Sequence, residues 1–564
     1  MADIVSRIYS NFRGVDFRGE DVNLTRSPDS LNMWKDYKQT NSIRTRPGMV
    51  QKLFMGHEVY GIYFFKGKML VHSGSYLHEI DPSQSGRIYD IEAKLIQTDL
   101  REEPGQAFVY NDVWYFKQDE VYISYNGTED FADPVEPYVP TTSIGRNPGG
   151  GGTVKEDVNM LTQRRINTFM GDATSTEYFL DSPKINYVFS VKVDGEEWAA
   201  AKYSVDYTAG KITFSTAPGK PKTPGQDNVS IEFNGGDYQT DKIYKCTIVE
   251  VFDNRVFFSG NPDYPNMVWH SSLNDPSYVS DLDYYQEGRD EAPIRGLVAG
   301  NNALWVFREP SDEQTTVFYH VPTLDADYGK IYPSSHSSIS TGCVGKAINF
   351  NDDIVFFSDR GMEGISGDIT SEQLLGHRSS LVDRKLTAEE KYKDMILAEW
   401  EGYLLVFIGN KVYLADSRGV FNNENHFEYE WFYWDIGLDV TCAKVHDGVL
   451  YIGDPYGVYT LDENGSGVKS YWVTAKDKFN NPHKLKTTNK RGCVVEATGD
   501  ITVYAKLEDT DFELIGNYEE VTDYFVSRIK RKKFKDIQLK FESFTRFSLE
   551  TATLECFIGG YIKR

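Results

Sequence analysis

The sequence is poor in cysteine, in positive charge and in long apolar runs. Its five cysteines are spread over 564 residues without a CxxC pair, so a disulfide framework is not expected and the thiols are predicted to be free and buried. The apolar runs have the length of strands and fall far short of the ~20 residues that a membrane-spanning helix needs. The first residues contain no apolar region typical of a secretory signal. We therefore expect a protein made in a reducing cytoplasm, without a membrane-spanning segment.

The shortage of positive charge excludes further classes of protein. Lys and Arg number 60 against 84 Asp and Glu, which gives a formal net charge of −24. A general nucleic-acid binder needs a basic surface to release phosphate counterions, and an anionic membrane would repel this chain. No phosphate-binding loop, GxSxG elbow, HExxH helix or Gly-rich dinucleotide turn occurs. We therefore predict no catalytic, cofactor or metal site, and a protein that is not an enzyme.

Carboxylates are nevertheless abundant, and the densest cluster lies near the middle of the chain. It comprises Asp281, Asp283, Glu287, Asp290 and Glu291. Their spacing does not match the ligand positions of a calcium loop. A solvated acidic loop is the expectation, and an adventitious divalent-cation site is the alternative.

Aromatic residues are plentiful, and they accompany a repeat. The chain has 37 Tyr, 33 Phe and 9 Trp, which favour the half-buried surface of a pleated sheet. A polar turn followed by three to six β-forming residues recurs seven times, at intervals of 45–51 residues with one exception. A period near 48 residues is typical of a four-stranded propeller blade, and each turn is predicted to close a hairpin. The turns are Lys66-Gly67, Asn111-Asp112, Asp253-Asn254, Asn301-Asn302, Asp352-Asp353, Glu401-Gly402 and Asp447-Gly448.

We predict an all-β fold: a β-propeller of about seven blades, with an inserted small β-domain and a C-terminal β-sandwich-like domain. The insertion accounts for the long interval of 142 residues between Asp112 and Asn254. That length also admits two further blades, but Gly149–Gly152 is typical of a flexible linker, where insertions are tolerated. The predicted parts are an N-terminal docking segment, a first set of blades, the insertion, a second set of blades and the C-terminal domain, at 1–50, 51–149, 150–236, 237–467 and 468–564.

A helix is expected between the fifth and sixth blades. Thr370 with Gln373, and Thr387 with Glu390, each have the spacing of a capping box. In that motif two unpaired backbone donors at a helix start are satisfied reciprocally. The leucines between these pairs are predicted to pack on the rim of the propeller.

Two basic clusters stand out against the acidic background. The first is made up of Arg26, Arg44 and Arg46. The second is interleaved with apolar residues and consists of Arg528, Lys530, Arg531, Lys532, Lys533 and Lys535. Strand alternation would place some of these cations on one face, where an acidic partner subunit or phosphate can bind. A solvated edge that prevents strand-to-strand aggregation is the alternative, and nucleic-acid binding is a third.

Three parts of the chain resemble the tail hub proteins of short-tailed bacteriophages, which are also called nozzle or stabilisation proteins. The N-terminal part reads RSPDSLNM from Arg26 to Met33 and IRTRPG from Ile43 to Gly48. The central part reads NRVFFSGNP from Asn254 to Pro262, and the C-terminal part reads IKRKKFK from Ile529 to Lys535. The inserted segment is similar to small β-domains that are common in phage tail proteins.

The resemblance implies a structural role in the virion tail. Such proteins carry a propeller and form a six-fold ring below the portal and adaptor and above tail fibre or needle proteins. They close the DNA channel after packaging and conduct the genome during ejection, so that double-stranded DNA passes without sequence-specific binding. In this role, Arg26, Arg44 and Arg46 would anchor the N-terminal segment within the protomer or against a neighbour. The basic residues between Arg528 and Lys535 would form a subunit interface.

Two other classes of function remain as alternatives. One is a glycan-binding propeller that serves as an adhesin or receptor-binding protein, with Trp431, Tyr433 and Trp434 stacked on sugar faces. Packing within a blade is the competing use of Trp431 and Tyr433. The other is a glycosidase or lyase, which needs two carboxylates at a defined separation that sequence spacing cannot establish.

Overall fold

The computed structural model describes residues 4–19, 22–38, 42–236, 240–313, 315–326, 329–366, 374–418, 428–465, 467–530 and 532–561. Nearly all the regular structure in these residues is β-strand. The chain divides into two compact units, of which the first comprises Met1–Glu103 with Cys343–Arg564 and the second Pro104–Gly342.

The first unit contains four antiparallel sheets of the blade type. Three are built from consecutive strands: Val59–Phe65, Lys68–Ser73, Tyr76–Ile80 and Ala93–Gln97; Ala347–Phe350, Asp353–Ser358, Gly361–Ser366 and Leu374–His377; Ile396–Trp400, Tyr403–Ile408, Lys411–Asp416 and Glu430–Asp435. The fourth joins Cys442–His446, Val449–Gly453 and Gly457–Asp462 to Gly48–Phe54, whose other edge pairs with Gly86–Arg87. This fourth sheet therefore holds together two distant parts of the chain, and we call Gly48–Phe54 the closing strand.

The second unit contains three sheets of the same type. They consist of Gln106–Tyr110, Val113–Gln118, Val121–Tyr125 and Asp133–Pro134; Ile248–Phe252, Arg255–Ser259, Met267–His270 and Tyr284–Gln286; Ile294–Gly300, Ala303–Arg308, Val317–His320 and Ser334–His336. A small hairpin, Thr323–Asp325 with Gly329–Ile331, extends from the last of them. Four-stranded antiparallel meanders are the blades of propellers, so the predicted fold class, a β-propeller with additional β-domains, is confirmed.

The turn between the first two strands of each blade sheet follows from local residue chemistry. In all seven turns both central residues have positive φ, between 46° and 77°. This is the type I′ geometry, which matches the right-handed twist of the two strands and favours Asn, Asp and Gly. One turn differs from the prediction: it is Asn351-Asp352, because Asp353 already begins the strand Asp353–Ser358.

The insertion is a small two-layer β-domain. Its larger sheet has the order Thr153–Val154, Thr141–Arg146, Arg164–Phe169, Val229–Asn234, Tyr187–Val193 and Glu196–Glu197, and its smaller sheet has the order Glu177–Phe179, Lys211–Phe214 and Tyr203–Asp206. Residues 141–234 are all described and contain no four-stranded meander, so the alternative of two further blades is wrong. The domain includes Thr141–Arg146, upstream of residue 150, because this strand pairs in parallel with Arg164–Phe169.

The C-terminal strands form one large sheet together with N-terminal strands. Its order is Ser30–Leu31, Ser470–Val473, Ile537–Ser543, Lys484–Leu507, Phe547–Tyr561, Ile43–Thr45 and Met33–Trp34. Ile4–Tyr9 pairs with Phe547–Tyr561, while Lys484–Leu507 also pairs with Glu513–Val521, Tyr524–Ser527 and Lys533–Phe534. Gly14–Val15 pairs separately with Arg26–Ser27. Residues 1–50 therefore contribute strands both to the C-terminal sheet and to the closing blade.

Helices in the described residues are short. They are Asp241–Tyr244 and Asp383–Leu386, with 3-10 turns at Ile88–Asp90, Ala200–Lys202 and Tyr392–Asp394. The first predicted capping box, Thr370 with Gln373, lies outside the described residues. The second is wrong: Thr387 follows the helix Asp383–Leu386, and its hydroxyl donates to the Asp383 carbonyl at 2.8 Å. All five cysteines are free, four of them buried and Cys442 half-buried.

A histidine between two carboxylates ties this short helix to the neighbouring blade. The Nε2 atom of His377 lies 2.5 Å from Asp383, and Nδ1 lies 3.1 Å from Glu363. Burial disfavours the charged ring, but the hydrogen bonds to Asp383 and Glu363 outweigh it and raise the pKa of His377 to about 9. Arg360 lies 3.7 Å from the same Glu363 carboxylate.

The His377 contacts predict a loss of stability in alkali. A raised folded pKa gives stabilisation that is complete below the unfolded value near 6.5 and is lost as pH rises through about 9. Replacement of His377 by Gln should remove about 1–2 kcal/mol of this pH-dependent term, allowing for its partial exposure. Urea unfolding from pH 6 to 10 measures it, with the exposed His483→Gln as the control. A variant whose decline matches that of the wild type contradicts the assignment.

Candidate functional site

Arg26 forms a buried ion pair with a blade strand. Its Nε and Nη2 atoms donate to the two Glu430 carboxylate oxygens at 2.9 and 2.6 Å. The Arg26 side chain is 14% exposed and that of Glu430 is 5% exposed. Burial acts against the Arg26 charge, but the hydrogen bonds with Glu430 outweigh it, so the pKa of Arg26 rises above its ordinary value. This bidentate pair fastens the N-terminal segment to Glu430–Asp435.

Arg46 and Arg44 hold the same segment a few residues further on. Arg46 is buried, and it donates to Asn32 Oδ1 at 3.0 Å and to the carbonyls of Pro47 and Asp435 at 2.8 and 3.0 Å. Burial lowers the pKa of Arg46 to about 10. Arg44 pairs with Asp36 at 3.1 Å and Glu463 at 3.0 Å. All three arginines thus bind within the chain, which favours the within-protomer alternative over a contact with a neighbour.

The second basic cluster lies on the surface of the C-terminal sheet. Its exposed cations surround the buried residues Ile529, Phe534 and Ile537, but strict alternation fails at Lys532 and Lys533, which are adjacent and both exposed. Lys532 pairs with Glu513 at 2.9 Å, and the backbone N–H of Lys535 donates to Glu508 at 3.0 Å. The exposed members are Arg528, Lys530, Lys532, Lys533 and Lys535, while Arg531 lies outside the described residues. We call the exposed members the basic segment.

The basic segment is not the continuous strand that the sequence predicts. The strand Tyr524–Ser527 ends before Arg528, and among the described residues that follow, pairing resumes at Lys533–Phe534. The interruption lies opposite an irregular part of Lys484–Leu507, because Ser527 pairs with Cys493 and Lys533 with Thr487. In that part the register with Phe547–Tyr561 shifts between Thr488 and Cys493, and Gly492 has a φ of 71°. The basic segment spans this break, which leaves its cations on an irregular, solvent-facing stretch.

The aromatic residues considered for glycan stacking are core residues. Trp431, Tyr433 and Trp434 are 0%, 5% and 1% exposed. Trp431 donates its indole N–H to the Arg378 carbonyl, and Trp434 donates to the Met33 carbonyl. A strand buried on both faces has a continuous apolar sequence, so the assignment of these three residues to a sugar site is wrong and blade packing is confirmed.

The acidic cluster of the second unit is largely paired rather than solvated. Glu287 is fully buried, lies 2.8 Å from His320 Nε2 and accepts a 2.6 Å hydrogen bond from Ser334. Asp290 pairs with the buried Arg308. Burial raises the pKa of Asp283 to about 6. The expectation of a solvated loop is therefore wrong for Glu287 and Asp290, because their carboxylates bind side chains of neighbouring strands in the same unit.

Two further features are absent from the described ranges. No group of three or more His, Cys, Asp and Glu side chains there is placed to hold a metal ion. In the same ranges no helix has the length and apolar character needed to cross a bilayer.

Comparison with known proteins shows likeness of fold only. No protein-family model and no curated protein matches the chain. BamB from Moraxella catarrhalis is 9% identical, with 76% of this chain and 93% of BamB covered and a TM-score of 0.34. Hsv2 from Kluyvelomyces marxianus is 10% identical, with 67% of this chain and 97% of Hsv2 covered and a TM-score of 0.26. AztD from Citrobacter koseri is 10% identical, with 84% of this chain and 90% of AztD covered and a TM-score of 0.27. Likenesses this distant carry no inference about function.

Proposed function

We propose that the chain is a structural component of a bacteriophage tail: a ring-forming hub that closes the DNA channel below the portal and adaptor and conducts the genome during ejection. The support is the resemblance of three parts of its sequence to tail hub proteins, together with what the N-terminal one of these parts does in the fold. Its role is mechanical, and no reaction is assigned to it.

The observation that carries the proposal is a set of hydrogen bonds made by the N-terminal signature, by which we mean Arg26–Met33 and Ile43–Gly48. Asn32 Oδ1 accepts hydrogen bonds from Arg46 Nε at 3.0 Å and from the Asp435 backbone at 2.9 Å, while its amide nitrogen donates to the Lys469 carbonyl at 2.8 Å. Ser27 donates to the Val473 carbonyl at 2.7 Å. The signature thereby links a blade strand to a strand of the C-terminal sheet. A conduit for pressurised DNA requires such rigid joining of its parts.

The distribution of charge supports self-association. Residues 468–564 contain 18 Lys and Arg against 14 Asp and Glu, whereas residues 1–467 contain 42 against 70. Opposite net charges on two parts of one chain favour a head-to-tail contact between copies, and such contacts give a ring when the rotation between copies closes. The exposed basic segment lies in the positive part. We therefore assign it to the subunit interface of the ring.

Reversing charge in the basic segment is expected to prevent ring assembly without unfolding the chain. The variant Lys530→Glu with Lys533→Glu places carboxylates against the acidic surface of the next copy, and like charges at an interface cost several kcal/mol. We expect at least a roughly hundred-fold rise in the concentration needed for assembly. Mass measurement over a concentration series, with negative-stain images of the same samples, tests this, and rings should show a central opening wide enough for duplex DNA.

Lys220→Glu with Lys222→Glu is the matched control, because both side chains are exposed in the inserted domain. It should assemble like the wild type. A wild-type protein that stays monomeric throughout contradicts a ring formed by this chain alone. Rings that form equally well from the Lys530→Glu, Lys533→Glu variant contradict the role of the basic segment.

A further inference from the structure

The larger sheet of the inserted domain has one buried face and one exposed face. Phe169, Val191 and Ile231 on the buried face pack against Tyr178 and Ile212 of the smaller sheet. The opposite face carries two exposed aromatic rings: Tyr187 is 55% exposed and Phe189 is 38% exposed. Two large aromatic side chains that are exposed next to each other form an apolar surface patch, and such patches mark interaction sites.

The register of the sheet places polar side chains beside these rings in ordered rows. Three adjacent strands contribute to each row, and successive rows are two residues apart along the strands. The rows are Arg164–Asn234–Tyr187, Ile166–Glu232–Ser190 and Thr168–Ser230–Lys192. A register shift between Val188 and Ser190 accommodates Phe189 between the first two rows. The rows span about 13 Å along the strands, at ~3.3 Å per residue.

The groups of this face are held in position before any ligand arrives. Arg164 Nε donates to Glu232 Oε1 at 2.8 Å, and the Arg164 guanidinium lies 4.3 Å above the Phe189 ring. The Tyr187 and Phe189 rings meet edge to face, with centroids 4.9 Å apart and planes at 70°. The Asn234 amide oxygen has no hydrogen-bond partner among the described residues. Fixed side chains lose little entropy on binding, which favours affinity.

We propose that this face binds a carbohydrate chain. The exposed ring of Tyr187 offers an apolar surface to the C–H face of a sugar, and Phe189 with Arg164 supports it from the side. Guanidinium, carboxylate, amide and hydroxyl groups in the rows both donate and accept hydrogen bonds, as sugar hydroxyls require. Two cations, Arg164 and Lys192, face two carboxylates, Glu232 and the Glu197 that pairs opposite Lys192. The face therefore carries little net charge, so the ligand is a largely neutral oligosaccharide or polysaccharide.

This inference is independent of the hub proposal, because it concerns the inserted domain and not the interface between copies. It also differs from the glycan-binding propeller considered from the sequence. The blade aromatics named there are buried, whereas Tyr187 and Phe189 lie outside the blades and are open to solvent. Failure of either proposal therefore leaves the other standing.

Affinity electrophoresis of the full-length protein tests the carbohydrate site. The gels contain mannan, galactan, dextran or purified lipopolysaccharide O-chains, and mobility is measured against polysaccharide concentration. We expect retardation of the wild type by at least one of these. The Tyr187→Ala and Phe189→Ala variants should each bind at least about ten-fold more weakly than the wild type, as expected when a central aromatic contact is truncated.

The matched control is Tyr207→Ala, since Tyr207 is 48% exposed on the same domain but lies in the turn before Lys211–Phe214. It should bind like the wild type. Unchanged thermal unfolding of the Tyr187→Ala variant excludes a folding defect, because that ring contributes little to the core. Absence of retardation in every gel, or equal retardation of the Tyr187→Ala and wild-type proteins, overturns the proposal.

Discussion

Replacement of Glu430 by Ala is expected to lower the free energy of unfolding by about 3–5 kcal/mol. The variant leaves the Arg26 guanidinium in a site where its side chain is only 14% exposed, without the carboxylate that binds it at 2.6 and 2.9 Å. Uncompensated burial of a charge is among the most costly single changes in a protein. Urea unfolding measures the loss, and faster tryptic cleavage after Arg13 and Arg18 reports release of the N-terminal segment.

Two further variants distinguish the loss of the buried ion pair from the loss of an exposed surface charge. Glu463 pairs with Arg44 and Arg546 at 3.0 and 2.9 Å but is 59% exposed, so Glu463→Ala should cost less than about 1 kcal/mol. Arg26→Met combined with Glu430→Met removes both charges and should recover most of the lost stability. If Glu430→Ala costs no more than Glu463→Ala, the ion pair does not anchor the segment.

A second large effect is expected at the closing strand. Leu53 is fully buried and packs with Met55, Val59, Met69 and Val458. Its replacement by Ala should cost about 2–5 kcal/mol, because the cavity opens where Gly48–Phe54 joins the last blade sheet. The unfolding transition in urea should move to lower concentration with little change in slope.

The neighbouring residue provides the control for Leu53. Phe54 lies on the same strand, but its side chain points to the opposite face and is 39% exposed. Phe54→Ala should therefore change the free energy of unfolding by no more than about 0.5 kcal/mol. Equal losses from the two variants would mean that the closing strand is not packed as described.

Local sequence signals are sufficient to predict the blades. Each begins with a hairpin whose Asn, Asp, Gly, Lys or Glu turn residues adopt positive φ, and this conformation depends on the two turn residues and the strands next to them. The error at Asn351-Asp352 is a shift of one residue, since three consecutive polar residues, Asn351, Asp352 and Asp353, allow two turns. The helix expected at Thr387 failed because the same hydroxyl that caps a helix start also bonds the carbonyl of a preceding turn.

The candidate sites are formed by contacts between residues that lie far apart in the sequence. The sequence places Arg26 in a basic cluster, but its partner Glu430 is 404 residues away. No local sequence pattern distinguishes the Glu430 carboxylate from the other carboxylates of the chain. The break in the basic segment lies opposite the irregular part of a neighbouring strand that contains Gly492. Tyr187 and Phe189 were not singled out, because only the register of three strands places them beside Arg164, Asn234 and Glu232.

Turn chemistry and strand patterning act over a few residues and repeat along the chain, so the amino-acid sequence is enough to predict an all-β propeller with an insertion. Which charges are buried, paired or exposed follows from the tertiary structure. Residues 1–50 join the C-terminal sheet and the closing blade, Trp431, Tyr433 and Trp434 become core, and the basic segment faces solvent. Burial and pairing depend on contacts between residues hundreds of positions apart, and those contacts exist only once the sheets have packed.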